Sequence, residues 1–156
     1  MTPMPVAYGP PFICDYIPKI AVERMTGVTD PRVSGSLGLE DPPAVGACIA
    51  YERTDERRAV LRIALDTGGV RGYVESLVRD GAGKRLPEII PGAIGYYGSY
   101  PGEEGHVGSM LVKGKSRLSV ELLKGVKGRD NAADVVAFMK LIGPKLMPTS
   151  SAGEDG

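Results

Sequence analysis

The sequence predicts an α+β fold: a single domain in which a mainly antiparallel β-sheet is flanked by helices, in the order α-β-β-α-β-β-β-α. Three observations carry this. Apolar residues recur at helical spacing in three segments, and five others read as strands. The strand-like runs are joined by hairpin-length turns, which antiparallel pairing permits and parallel pairing does not. Each helical pattern has one apolar face, suited to packing on a sheet. With 156 residues, 42% of them hydrophobic, the chain is long enough for one core that removes roughly two-thirds of its unfolded surface from water. It contains no internal repeat and no linker. Residues 1–11 read as a flexible Pro-rich lead-in, 12–147 as the domain and 148–156 as a disordered polar tail.

Asp15 can cap a first helix in which Ile17, Ile20, Ala21 and Met25 share a face. Pro18 is tolerated only in a first turn, so the helix is expected to begin near Tyr16 and to stop at Gly27. Asp30 to Gly46 carries Asp-Pro and Gly-Leu-Gly punctuation and predicts a long loop with one short strand near Leu37. Ala47–Tyr51 and Arg58–Asp66 predict a hairpin, with Leu61, Ile63 and Leu65 on one face and Val60, Arg62 and Ala64 on the other. Val70 to Arg79 has helical spacing and is stopped by Gly81 and Gly83. Ile89–Gly98 predicts a strand, and Gly102-Glu103-Glu104-Gly105 a turn. The runs His106–Lys113 and Ser116–Leu123 form a further hairpin, the second with Leu118, Val120 and Leu122 on its core face. Asp130 then caps a helix striped by Ala132, Val135, Val136, Met139 and Ile142, ending at Gly143-Pro144 or one turn beyond.

Composition excludes several functions. Nineteen Lys+Arg balance nineteen Asp+Glu, so no basic excess exists to grip nucleic acid. No apolar run approaches the ~20 residues needed to span a bilayer, and Met1 to Pro11 lacks the basic and apolar regions of a signal peptide. Two cysteines and one histidine cannot make the usual four-ligand zinc site, and no metal or cofactor is expected. Cys14 and Cys48 are compatible with one disulfide outside the cytosol or with two buried thiols inside it. A bridge would close a loop of about 35 residues, worth ~3 to 4 kcal/mol on the chain-entropy model.

Among motifs that carry chemistry, Gly114-Lys115-Ser116 ends like a phosphate loop, but Ser109 stands where its first glycine belongs and a strand follows. Gly92, Gly95 and Gly98 lack the dinucleotide spacing and a following helix. No nucleophile elbow is present, and His106, beside a turn, reads as a surface histidine. Glu103 and Glu104 are adjacent and make a poor acid/base pair. Two features remain as binding candidates. Tyr96, Tyr97 and Tyr100, interleaved with glycines, can line a groove where rings stack on a ligand, with His106 close in sequence. Lys113, Lys115 and Arg117 head a local basic cluster that is either an anion-attracting surface or a solvated strand edge.

Three short motifs carry a resemblance: Phe12-Ile13-Cys14-Asp15 before the first helix, Val45-Gly46-Ala47-Cys48 on the first firm strand, and Ile90-Pro91-Gly92-Ala93-Ile94-Gly95-Tyr96-Tyr97. Over Phe12 to Leu146 the chain resembles an actinobacterial family of secreted lipoprotein domains of unknown function. It departs from that family in having Ala93-Ile94 where Leu-Gly is usual. Relatives of the family include lipid-anchored envelope proteins and the extracellular sensor domains of serine/threonine kinases, with a PsbP-like sandwich fold. The resemblance implies a Cys14–Cys48 disulfide, an exported or cell-envelope location, no catalytic set, and a binding or interaction module. Its expected ligand is a small molecule, an envelope lipid or glycan, or a membrane-protein partner. No lipobox cysteine precedes Phe12, so membrane association through a lipid anchor would need a segment outside this chain. The rival expectations are an envelope enzyme, a hydrolase or isomerase with a site assembled in space, and a subunit of a larger assembly.

Overall fold

The structure, a computed structural model, describes residues 2–4, 6–40 and 43–147; the predicted polar tail lies outside the described residues. The α+β prediction holds. Seven strands form one antiparallel sheet in the order β3-β4-β5-β9-β8-β7-β6: β3 Arg32–Ser36, β4 Gly46–Tyr51, β5 Ala59–Asp66, β6 Lys84–Arg85, β7 Ile94–Ser99, β8 Val107–Lys113 and β9 Ser116–Leu122. Two short strands, β1 Phe12–Ile13 and β2 Ile17–Pro18, pair with each other. The helices are α1 Lys19–Thr26, α2 Arg71–Arg79 and α3 Asn131–Leu146.

Alternation decides which face is buried. Leu61, Ile63 and Leu65 of β5 stand in register with Leu122, Val120 and Leu118 of β9, and these in turn with Val107, Ser109 and Leu111 of β8. All of these side chains are buried, on the face that α1 and α3 cover, where they meet Ala21, Met25, Val135, Phe138, Met139 and Ile142. Asp130 caps α3 by accepting a hydrogen bond from the Ala133 amide at 3.0 Å. The helix passes Pro144 and ends one turn later, at Leu146. α2 lies on the opposite face, where Val74 packs on Ile94 and Val112. It covers only the β6–β8 end of the sheet.

Three sequence expectations are corrected. The first helix begins at Lys19, not Tyr16, because Cys14 and Asp15 adopt left-handed backbone (φ 48° and 67°), turning β1 back onto β2. Ile20, expected on the apolar face of that helix, is 45% exposed, while Ile17, Ala21 and Met25 are buried. The short strand expected near Leu37 is β3, which ends one residue before it. There Gly35, at φ 95°, leans so close to the Ala47 carbonyl that a Cβ would lie 2.1 Å from its oxygen, so only glycine fits. Ile89–Ala93 is not strand, because Gly92 at φ 81° turns the chain before Ile94.

Two ties fix the ends of the domain. Cys14 and Cys48 form a disulfide with Cα atoms 6.2 Å apart, joining the β1–β2 turn to the core face of β4. Arg129 holds Asp134 through Nε and Nη2 at 2.7 and 2.8 Å, with both side chains only 8% exposed. Its Nη1 donates to the Thr2 carbonyl at 2.7 Å. Arg24 likewise donates to the Pro3 carbonyl and the Tyr8 hydroxyl, each at 3.1 Å, and Met4 and Tyr8 pack against the core. The sequence predicts none of these contacts for the Pro-rich start.

Phe138 is wholly buried between α3 and the sheet, so Phe138→Ala should lower unfolding free energy by ~3–5 kcal/mol in urea titration. A smaller loss would mean that the helix–sheet interface can collapse into the space. Arg117 donates to both oxygens of Asp66 at 2.8 and 3.0 Å, and this hydrogen bonding holds the Asp66 carboxyl below its ordinary range. The ionised form is therefore favoured by folding. Its contribution is fully present above the unfolded value near pH ~4 and is lost as pH falls through the lower folded value. Asp66→Asn should accordingly show a shallower decline of stability below about pH 4 than the wild type. Parallel declines would remove Asp66 from the account.

Candidate functional site

The face turned away from α1 and α3 carries the polar residues of β5 and β9. Across β5, β9 and β8 the register sets Arg62 beside Glu121 and Gly108, and Ala64 beside Ser119 and Met110. β7 continues both rows with Gly98 opposite Gly108 and Tyr96 opposite Met110. Tyr100 follows the strand and folds back over Gly108. A Cβ there would lie 3.2 Å from its ring carbon Cε1 and 3.3 Å from its hydroxyl. Tyr100 thus lies over Gly108, and the Ala82 carbonyl and Gly83 lie over Gly98, where a Cβ would stand 3.2 Å and 3.6 Å from them.

Beside Tyr100 runs a groove of two adjoining hollows, both open to solvent. One, of about 140 Å³, is bounded by Arg62, Ser119, Glu121, Tyr96 and Tyr100. The other, of about 220 Å³, shares the tyrosines and Gly108 and is closed on its far side by Tyr73 and Leu77 of α2. Burial raises the Tyr96 phenol, and the neighbouring tyrosines add to the effect. Tyr100 is raised by burial first and by Glu121 and Glu103 next. Both rings are therefore neutral hydrogen-bonding groups across the physiological range.

His106 anchors the turn that carries Tyr100. Its Nε2 lies 2.7 Å from Glu121 Oε2, and its Nδ1 3.5 Å from Glu103. Its ring stacks on Tyr100 with centroids 3.8 Å apart and planes 15° from parallel. The expected surface histidine is instead part-buried, its side chain 14% exposed, because two carboxylates and a tyrosine ring enclose it. The other Glu121 oxygen accepts from Arg62 Nη1 at 2.9 Å. An Arg62–Glu121–His106–Tyr100 chain therefore runs along one side of the groove.

The structure brings Tyr96, Tyr100 and His106 together and leaves Tyr97 apart. Tyr97 pairs with Ser109 and packs against the core beneath the sheet, as strand alternation requires of neighbours. Lys113, Lys115 and Arg117 do not form one patch. Arg117 stands opposite Val112 and Lys113 opposite Ser116, so they fall on opposite faces, and Arg117 is engaged by Asp66. Sequence reasoning missed Arg62, Glu121, Ser119 and Tyr73 as groove residues. The usable signal was Arg62, a charge in the middle of an apolar run, Ala59 to Leu65, whose alternation places it away from the core. No group of three or more His, Cys, Asp or Glu residues suited to a metal ion occurs among the described residues.

Fold and groove together define a disulfide-bonded, single-domain α+β protein with an aromatic groove on the uncovered face of its sheet. No protein-family model matches the chain, no curated protein matches its sequence, and no solved structure matches it.

The seat of Tyr100 gives a direct check. Gly108→Val should push the ring off its glycine floor and break the stack on His106, seen as downfield movement of the His106 ring protons in NMR spectra while circular dichroism stays unchanged. Unmoved ring protons would show that Tyr100 does not depend on Gly108.

Proposed function

We propose that this domain is a non-catalytic binding module, exported or associated with the cell envelope, whose ligand seats in the Tyr96–Tyr100 groove. The observation that carries the reading is the asymmetry of the sheet. One face is closed by α1, α3 and the N-terminal segment, whereas the other leaves Tyr96 and Tyr100 lining two open hollows beside α2. Concave sites with a few polar groups among aromatic walls are where small ligands bind.

The Cys14–Cys48 bridge supports this location, because such a bond persists in oxidising surroundings and is reduced in the cytosol. The likeness of the Cys14, Cys48 and Pro91-Gly92 motifs to secreted actinobacterial lipoprotein domains supports the same location. No described helix is long and apolar enough to cross a membrane.

The rival reading, an envelope hydrolase or isomerase, has one observation in its favour: the 2.7 Å His106–Glu121 contact. Its weakness is that Glu121 occupies Nε2 while Glu103 faces Nδ1. A general base needs one ring nitrogen aimed at a nucleophile or substrate. Among the large exposed apolar residues, Phe12 lies in β1, Val33 in β3, and Val45 and Val70 just before β4 and α2, and single exposed apolar residues are ordinary on a monomer's surface.

Protein isolated from its native host and alkylated before reduction should gain no alkyl groups, and after reduction it should gain one each on Cys14 and Cys48. Alkylation of both thiols without reductant would contradict an exported domain and return the cytosolic readings.

A further inference from the structure

We propose that the hollow bordered by Tyr73, Tyr96 and Tyr100 binds a quaternary ammonium group, a trimethylammonium head whose substituent chain leaves through the open mouth. The inference rests on the groove being the ligand site and adds the chemical class of the ligand.

Three features select that class. First, the walls are aromatic and uncharged. Tyr73 and Leu77 of α2 border a space of about 220 Å³ together with Tyr96, Tyr100 and Pro101, and no charged side chain lines it. Tyrosine rings attract a cation that carries little bound water, and quaternary ammonium groups are the organic cations most readily held in this way. Second, the surroundings are negative. The turn that follows Pro101 carries Glu103 and Glu104; Glu103 meets His106, and neither carboxylate pairs with a lysine or arginine among the described residues. After burial, Glu121 and Glu103 are what raise the Tyr100 phenol, so both carboxylates act on that ring. The arginines around the groove are each offset by a carboxylate: Arg62 by Glu121, Arg117 by Asp66, Arg71 by Glu75 and Arg79 by Asp80. Third, the hollow abuts the C-terminal end of α2. Leu77 and Ala82 both line it, and the Leu77 carbonyl accepts from the Ala82 and Gly83 amides at 3.0 and 3.3 Å. Carbonyls gathered at the end of a helix carry the negative pole of its dipole.

The same features disfavour the other candidates. An anion would meet two carboxylates that no lysine or arginine offsets. A primary ammonium carries three N–H donors that need acceptors, and beyond the tyrosine hydroxyls the side chains lining this hollow offer only that of Ser99. A metal ion needs several ligand atoms at once, and no group of His, Cys, Asp or Glu residues suited to one occurs among the described residues.

The test is an NMR titration of the ¹⁵N-labelled protein with choline chloride, run beside sodium chloride at equal ionic strength and beside dimethylbutanol, the uncharged carbon isostere of choline. Choline should shift the Ala82 and Ser99 amides saturably at millimolar concentration, and the isostere should bind ~10-fold more weakly for want of the cation–π attraction. Tyr73 is 49% exposed, so its truncation spares the core and circular dichroism should not change. Tyr73→Ala should weaken choline ~5-fold by removing one ring; Tyr73→Phe, which keeps the ring, should weaken it less. Phe12→Ala, on the α3 side of the domain, should leave it unchanged. Retention on phosphatidylcholine vesicles that choline reverses, without retention on phosphatidylglycerol vesicles, would support the proposal with a lipid headgroup as the source of the cation; choline shifts without retention would support it with a soluble source. If the isostere binds as tightly as choline, or Tyr73→Ala leaves choline affinity unchanged, the cation proposal is overturned and the groove stands as a site for another ligand. If neither compound moves these amides, or sodium chloride reproduces the shifts, the proposal is overturned and the groove itself loses its standing as the binding site.

Discussion

The period-two alternation of a seven-stranded sheet, buried along one face by α1 and α3 and on the other only at the β6–β8 end by α2, is the constraint on which this molecule depends. Once Leu61, Ile63, Leu118, Val120 and Leu111 are committed to the α1–α3 side, every second residue must face the other way. Arg62, Glu121, Ser119, Tyr96 and Gly108 therefore share the open face by geometry. Slipping one strand by a single residue would exchange the two sets. The hydrophobic gain of the closed face thus fixes the register, and the register in turn assembles the groove.

The ties at the periphery serve the same division. The disulfide draws the β1–β2 turn onto β4 near the far end of the sheet from α2, and Arg129 holds the chain start against the head of α3 through its buried pair with Asp134. Both act on the closed side. On the open side the fixed contacts are the Asp66–Arg117 pair and the Arg62–Glu121–His106–Tyr100 chain. These hold side chains in defined positions around the two open hollows. A site kept rigid and uncovered loses little freedom when a ligand settles, which is how modest contacts yield useful affinity.

The architecture was largely legible because its signals are local. Alternation in 58–66 and 116–122, the Asp130 cap and the Gly27 stop each act within a few residues. The misses came from interactions at longer range. The left-handed pair Cys14-Asp15 turned what reads as a helix start into a small hairpin. β6 is two residues long and exists only because β7 offers it an edge. The groove was half visible. Tyrosines among glycines marked the place, but only the pairing of Tyr97 with Ser109, and of Tyr96 with Met110, decides which ring faces the ligand side. Glu121 and Arg62 are 59 positions apart, and no spacing rule joins them. The grouping of Lys113 with Arg117 failed for the same reason, since closeness in sequence across a hairpin places residues on either face.

The most direct measurement of the one-sided sheet uses methionine methyls as reporters. Met110 sits on the open face beside Tyr96, whereas Met25 and Met139 are wholly buried under the helices. With ¹³C-methyl methionine and a soluble paramagnetic agent, the Met110 methyl should relax markedly faster than those of Met25 and Met139. A Met110 methyl as protected as the other two would mean that the face is covered. Equal enhancement of all three would mean that the helices do not close the core.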